Sequence, residues 1–404
     1  MQKNILKNIV LIGGGHSHSI VLKLFGIHPR LGVNLILITL DEYTPYSGML
    51  PGHIAGFYNY GECHIDLKNL CKFANAKLYI DRVIGLDLKN HKVLCANQSA
   101  VDFDILSIDI GSTPRKLSVS GAAEYTIGAK PVAQLLEHWD KLRKNVVTNR
   151  QKTLSIGIVG GGAGGVELAL SMQAGLQNLG IDNLQVHLWQ RSGELMPNHH
   201  LSVRVIMEKV LINKGVKLYL GEMVYEVAPR KEKLQIKCES GLLVECDQVF
   251  CVTQASAEDW VKDSGIGTDE QGFILVDDNL QSVTHSHIFA AGDIATMINH
   301  HLPKAGVFAV RQGKPLYENL RRMILGKSLK SYQPQKSYLS LISTGDGKAL
   351  ATRGNFTLPP HQLLWYWKDW IDSRFMEQFT DRHFYLLSIF RLLYQYTSAI
   401  KTND

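Results

Sequence analysis

Short apolar runs alternate along this chain with stretches that are apolar on one side only. Asn8–Ile12, Val33–Ile38, Ile156–Val159 and Gln185–Trp189 are runs of the first kind, and so are the centres of 102–114 (DFDILSIDIGSTP) and 287–295 (HIFAAGDIA). Such runs predict strands buried on both faces, as in parallel sheets covered by helices. Ser19–Leu24 and the residues after Gly165 are compatible with helices. Near the C-terminus, Trp367, Ile371, Phe375 and Phe379 recur every four residues, which predicts one apolar helical face. The stretch 384–396 (FYLLSIFRLLYQY) confines its polar residues Ser388, Arg391 and Gln395 to a narrow stripe. It is too short to span a bilayer, which takes roughly 20 residues. It suits either a membrane interface or packing onto the fold.

Two of the predicted strands run into glycine loops followed by helices. After Ile156–Val159, the glycines Gly160, Gly162 and Gly165 complete a G-x-G-x-x-G fingerprint. Its first glycine allows the tight turn, its second the approach of backbone to a pyrophosphate, and its third close helix–strand packing. The helix beyond it offers free N–H groups and a positive dipole end to phosphates. After Asn8–Ile12, Gly13 and Gly15 fill the first two positions, but His18 stands at the third. That change is expected to push the helix slightly from the strand and leave the pyrophosphate cradle, with Gly13, Gly15 and His16, intact. Two such loops predict a flavoprotein that also binds a nicotinamide nucleotide. The run 102–114 ends in a turn at Gly111 and Pro114, and 287–295 ends in Gly292-Asp293. An Asp there is positioned to accept from a ribityl hydroxyl of FAD, a role compatible with capping the next helix.

Composition narrows the reading little. The 404 residues are 45% hydrophobic, enough for two domains with real cores. A formal charge of +6 is a diffuse basic excess and gives no argument for nucleic acid. The N-terminus runs straight into the first strand without a signal-peptide pattern, so a cytoplasmic setting is expected. The six cysteines, Cys63, Cys71, Cys95, Cys238, Cys246 and Cys251, include no C-x-x-C and are expected to be reduced.

Together these segments resemble the two-dinucleotide-binding-domain flavoproteins of the pyridine nucleotide–disulfide oxidoreductase superfamily. Within it the chain looks closest to type II NAD(P)H:quinone oxidoreductases and sulfide:quinone reductases. GGGHSH, YTPYSGMLPGHIAG (43–56), PKAGVFAVRQG (303–313) and WKDWIDSRFM (367–376) look like the group often fused to selenophosphate synthetase, in which a His at the third loop position is usual. The resemblance implies an α/β fold of two Rossmann-like domains, the second inserted in the first, with a C-terminal helical tail. FAD would lie on residues 1–115 and 280–330, and NAD(P) on 116–279. Residues 331–404 would form an interface or membrane-association segment, with a homodimer as the other use of that surface. The resemblance further implies that the helix entered at Lys304–Gly306 points its N-terminus at the flavin, and that Glu167 reaches the nicotinamide–flavin junction. Lys304 is the residue expected to polarise the flavin or protonate a quinone oxygen. The implied reaction carries hydride from nicotinamide to flavin and electrons on to a quinone-like acceptor. A soluble reductase linked to selenium metabolism and a slow flavin-binding redox sensor are the alternatives.

Departures from the family pattern refine this. Where disulfide reductases carry a cysteine pair, this chain has Thr44-Pro45-Tyr46-Ser47-Gly48, and the cysteines of sulfide:quinone reductases have no counterparts. Asp41 and Glu42, just past the strand ending at Thr39, are candidates for an adenosine ribose contact. In the second domain the strand ends in Gln190-Arg191, without the acid that holds the ribose 2′-OH of NAD. An Arg there suits a 2′-phosphate, so NADP(H) is favoured over NAD(H). Thr253-Gln254 stands where relatives usually have Thr-Gly. Arg191→Glu is expected to shift preference from NADPH toward NADH by one to two decades, because a charge-assisted phosphate contact contributes about 1.5–3 kcal/mol. The ratio of kcat/KM values for the two nucleotides measures it; an unchanged ratio rules out this role for Arg191.

Overall fold

The computed structural model describes residues 7–114, 119–148, 153–252, 255–385 and 387. Two five-stranded parallel sheets organise it. In the first, β1 (Lys7–Ile12) is central, with β2 (Val33–Thr39) and β3 (Lys77–Ile80) on one side and β4 (Ile105–Ile108) and β10 (Ile288–Ala290) on the other. In the second, β6 (Leu154–Val159) is central, between β7 (Leu184–Gln190) with β8 (Lys217–Leu220) and β9 (Gln248–Cys251) with β5 (Ile127–Gly128). In both, three successive strands run from the centre to one edge; the strand at the other edge comes last along the chain in the first sheet and first in the second. Strand β10 follows the whole second sheet along the chain, yet it pairs with β4 through Ile288↔Leu106 and Ala290↔Ile108. The second unit is therefore inserted into the first, as the sequence leads one to expect.

The apolar runs explain the central strands. Ile9, Val10 and Leu11 are fully buried, as are Ile156 and Ile158, because both sheet faces are covered; in the second sheet Gly157 faces Ile236 and Cys246 of an antiparallel sheet on one side. Helix α1 (His16–Ile27) leaves the first glycine loop and α4 (Ala163–Gln177) the second. Close approaches fix the layers. A Cβ on Gly313 of α5 (Gly306–Ile324) would lie 2.7 Å from Ile20, so only glycine lets α5 settle this near α1. A Cβ on Gly175 would lie 2.3 Å from the Ile54 carbonyl, which brings α2 (Leu50–Ala55) of the first unit against α4 of the second.

The C-terminal region carries the expected helix but is not helical throughout. It begins with an antiparallel sheet of β11 (Ser340–Ser343), β12 (Ala349–Arg353) and β13 (Phe356–His361). Gly345 and Gly347, at φ of 78° and 74°, make the first turn. Helix α6 (Gln362–Glu377) follows. Of the predicted Trp367–Ile371–Phe375–Phe379 stripe, Phe379 is buried and Phe375 packs inward against Tyr46, but Trp367 is 44% exposed. Trp365, Lys368, Asp372 and Met376 are buried instead, because the two charged residues find partners inside. Residues 386 and 388–396 of the predicted apolar segment lie outside the described residues, and so do Thr253 and Gln254. At the segment's start, Phe384 stacks on Phe73 with ring centroids 4.6 Å apart.

The second loop yields a contrast. A Cβ on Gly165 would stand 1.8 Å from the Gly160 carbonyl, whereas one on Gly162 meets nothing within 4 Å. Gly165→Ala is expected to cost about 1–3 kcal/mol through forced helix displacement, read as a lower Tm. Gly162→Ala should leave Tm unchanged and weaken NAD(P)H binding. Equal effects of the two on Tm count against this loop geometry.

Candidate active site

Both glycine loops lie at the carboxyl ends of central strands, where α/β sheets of this order bind ligands. Gly13 has φ of 89° and donates from its N–H to the Ile38 carbonyl at 2.8 Å. Gly15 is the N-cap of α1 and His16 its first residue. The His16 ring meets Tyr46 edge-on at 5.3 Å, its Nε2 is buried with no hydrogen-bond partner, and burial lowers its pKa to about 4. Gly111 has φ of 70°, and a Cβ on it would meet nothing within 4 Å. Asp41 and Glu42 are exposed just beyond β2, with Glu42 3.8 Å from Lys68.

Gly292, at φ of 71°, donates to Gln312 Oε1 at 2.7 Å. Asp293 accepts from Lys130 Nζ at 2.8 Å, and that ammonium also donates to Ser112 Oγ at 2.7 Å. Lys130 comes from the segment entering the second unit, so an ion pair crosses between units at the expected ribityl acceptor. Sequence reasoning missed it, because nothing local couples positions so far apart.

In the second loop, Gly160 has φ of 122° and Gly162 caps α4. Gln190, at the position usually acidic, turns inward: its Oε1 accepts from Gly161 N at 3.0 Å, and its amide nitrogen donates to Ser192 Oγ. Arg191 is exposed beside it.

Glu167 lies on α4, where its Oε1 accepts from Ser343 N of β11 at 2.8 Å. Burial raises its pKa, opposed in part by the charge of Lys368. Lys368 and Asp372 form a buried ion pair one turn apart on α6. Lys368 Nζ also donates to the Gly48 carbonyl, and Asp372 Oδ1 accepts from Tyr46 Oη at 3.1 Å. Burial, followed by Asp372, raises the Tyr46 phenol. Tyr46 packs against Phe375 at 4.6 Å, and a Cβ on Gly306, the first residue of α5, would lie 2.8 Å from Ser47 Oγ. Glu167, Lys368, Asp372, Tyr46 and His16 thus gather around the start of α5. Of these, the sequence reading had picked out Glu167 and His16. The i, i+4 spacing of Lys368 and Asp372 was the available signal, but it is common on solvated helices.

Lys304 stands apart from that cluster. Its ammonium donates to the Ala295 carbonyl at 2.8 Å and to Thr296 Oγ1 at 3.0 Å, and it lies 3.9 Å over the Phe273 ring. Burial lowers its pKa to about 8.

The residues fit a dinucleotide at each loop: Gly111 beside the first and Gly162 in the second border open space, a helix starts from each loop, and His16 Nε2 is an orphaned buried atom beside the first. All six cysteines are free thiols. A fold of two such loops without a disulfide defines a flavin- and nicotinamide-dependent reductase. The chain belongs to the pyridine nucleotide-disulphide oxidoreductase family, whose profile matches residues 7–313. It is an FAD-dependent NAD(P)H oxidoreductase. It is 29% identical over 276 residues to ferroptosis suppressor protein 1 of Xenopus laevis, covering 66% of this chain and 69% of the relative. It is 22% identical over 353 residues to the type II NADH:quinone oxidoreductase of Staphylococcus epidermidis, covering 81% and 85%. The solved structure of NDH2 from Plasmodium falciparum in complex with NADH superposes with a TM-score of 0.78 at 13% identity, covering 95% of this chain and 98% of that one.

The buried pair generates a stability prediction. Lys368→Met leaves Asp372 without its counter-charge and is expected to destabilise by about 3–5 kcal/mol. The double variant Lys368→Met/Asp372→Leu should recover most of that loss. Urea unfolding of the three proteins measures it, and a double variant no better than the single one contradicts the pairing.

Proposed function

We propose that this protein is an NAD(P)H:quinone oxidoreductase, with FAD on residues 1–115 and 280–330 and the nicotinamide nucleotide on 116–279. The observation that carries the acceptor half is the buried Glu167–Lys368–Asp372–Tyr46 cluster at the start of α5. The type II NADH:quinone oxidoreductase among its relatives supports the same reading. Bound FAD supplies a two-electron carrier between nicotinamide and acceptor.

The protein's own residues do the rest. Gly13, Gly15 and His16 hold the FAD pyrophosphate, with Gly111 and Gly292 letting backbone approach and Asp293, fixed by Lys130, accepting from the ribityl chain. Gly160, Gly162 and Gly165 hold the nicotinamide nucleotide. Gln190, already satisfied by Gly161 N, leaves Arg191 to meet a 2′-phosphate, which favours NADPH. Hydride transfer needs orientation more than acid–base groups. Reducing a quinone to a quinol, by contrast, takes two protons. Glu167, whose carboxyl burial raises toward the protonated form, is placed to supply one, and Lys368 beside it the second. Lys304, already engaged with Ala295 and Thr296, acts at most by its charge.

Among the described residues no helix is long and apolar enough to cross a membrane. Leu363, Tyr366, Trp367 and Trp370 stand exposed on the outer face of α6, a set suited to a membrane interface from which a lipid-soluble quinone enters.

Rapid anaerobic mixing with NADPH followed by a short-chain quinone tests the function. The flavin band should bleach within seconds and return on adding quinone. Slow bleaching favours the redox sensor, and bleaching that quinone does not reverse, while a selenium compound does, favours the selenium-linked reductase. Glu167→Gln is expected to slow the quinone step at least tenfold, a typical contribution of a positioned proton donor being about 10²–10⁴, and to leave bleaching by NADPH within a few-fold. Equal slowing of both steps excludes Glu167 as the donor.

A further inference from the structure

The third position of the first glycine loop holds His18, and two residues of the neighbouring strand answer it. Ser107 and Asp109, two apart along β4 and its continuation, both face α1. The His18 ring spans the Gly13 carbonyl at 2.7 Å and Ser107 Oγ at 2.8 Å. Asp109 is laced into the loop: its N–H donates to the Ile12 carbonyl at 2.8 Å, and its own carbonyl accepts from Gly15 N at 3.2 Å. Its carboxyl Oδ2 accepts from His18 N, the third residue of α1, at 3.1 Å. The Ser17 N–H is a further donor to it. This is the contact an N-cap side chain makes, and Gly15 has none to offer. The amino end of α1, expected to face a pyrophosphate, therefore already holds a carboxyl on its inner side. Asp109 is 2% exposed. A Cβ on Gly15, or one on Gly292, would lie 2.4 Å from it, so the carboxyl is wedged between the loop and the turn that carries Asp293.

We propose that Asp109 is a positioning residue that makes FAD retention proton-linked: the dinucleotide is held with the Asp109 carboxyl protonated and is loosened as that proton leaves. The reason is charge crowding. One helix end cannot stabilise a pyrophosphate, the Asp293 carboxylate and a third buried negative charge together. The balance is one proton taken up by the Asp109 carboxylate per FAD bound where the free protein is ionised. Burial, with help from the charge of Asp293, pushes the Asp109 carboxyl up to about 7. The other groups that face it are accounted for. His16 and His18 of α1 are held to about 4 by burial and stay neutral through this range. Asp293 is paired with Lys130, and α5 presents Ala309 and Gln312, which do not titrate.

The inference rests on FAD occupying the first loop. The test dilutes the FAD-loaded protein at several values between about pH 6 and pH 9 and reads released FAD by its fluorescence. For one linked proton, the apparent Kd should rise up to about tenfold per pH unit above neutrality. Asp109→Asn keeps the shape and removes the titration, so its Kd should be flat with pH and lower than that of the unaltered protein at pH 9. If that variant does not fold, release of FAD from the unaltered protein in weakly buffered solution with a pH indicator should still free close to one proton per FAD near pH 8. A flat profile, an Asp109→Asn profile with the original slope, or no proton freed overturns the inference. A protein that carries no FAD at any pH overturns the assignment of FAD to this loop as well.

Discussion

Two charges one helical turn apart, Lys368 and Asp372, are sealed inside this protein, and the arrangement around the reactive site follows from satisfying them. Removing an ion from water costs several kcal/mol even after relaxation, so each must find partners within reach. Lys368 takes the Gly48 carbonyl and Asp372 takes the Tyr46 phenol. Those contacts fasten α6, which follows the antiparallel sheet near the end of the chain, to a segment that follows the second strand. Tyr46–Gly48 is thereby held against the start of α5, and Glu167 is enclosed from the other unit. The same burial that makes the pair costly raises the Glu167 carboxyl, so structural and chemical demands coincide.

The central strand of each sheet runs into a glycine loop, but the two loops are tuned differently. At the second loop Gly165 allows contact so close that a methyl group has no room. At the first, the His18 ring takes that position and bridges loop and strand through Gly13 and Ser107. Asp109 then supplies the cap that the loop lacks. The polar arrangement puts a titratable group at the helix end, which a glycine does not. Between the units, Lys130 and Asp293 link the entry to the second sheet with the return from it. A shift of one unit against the other therefore acts directly on the group expected to hold the flavin chain.

Much was legible in the sequence, and the reasons are local. Apolar runs such as Ile9–Ile12 and Ile156–Ile158 form strands because both their faces are covered. The glycines sit where backbone geometry demands them, with Gly13 and Gly160 at positive φ. The insertion of one unit in the other was implied by the family resemblance that the two loops and two returning strands carry. One element went unread and one face was placed only in part. The stretch 340–361 folds as a sheet whose first turn rests on Gly345 and Gly347, ahead of the expected helix. Helix α6 turns a face bearing Lys368 and Asp372 inward and leaves Trp367 and Trp370 largely exposed, against the apolar periodicity.

By itself, then, the sequence determined the parallel sheets, the two nucleotide loops and the absence of a redox cysteine pair, because each depends on residues adjacent in the chain. The tertiary structure alone decided which lysine joins the buried cluster around Glu167. Lys304 lies next to the glycine that starts α5 but is drawn off to Ala295, Thr296 and Phe273, while Lys368, far along the chain, is carried in by α6. It also decided that Asp109 caps a helix from another strand and that Lys130 holds Asp293. The physical reason is common to all three. A buried charge is governed by whichever partners the packing brings within hydrogen-bond reach, and along this chain those partners lie many residues away.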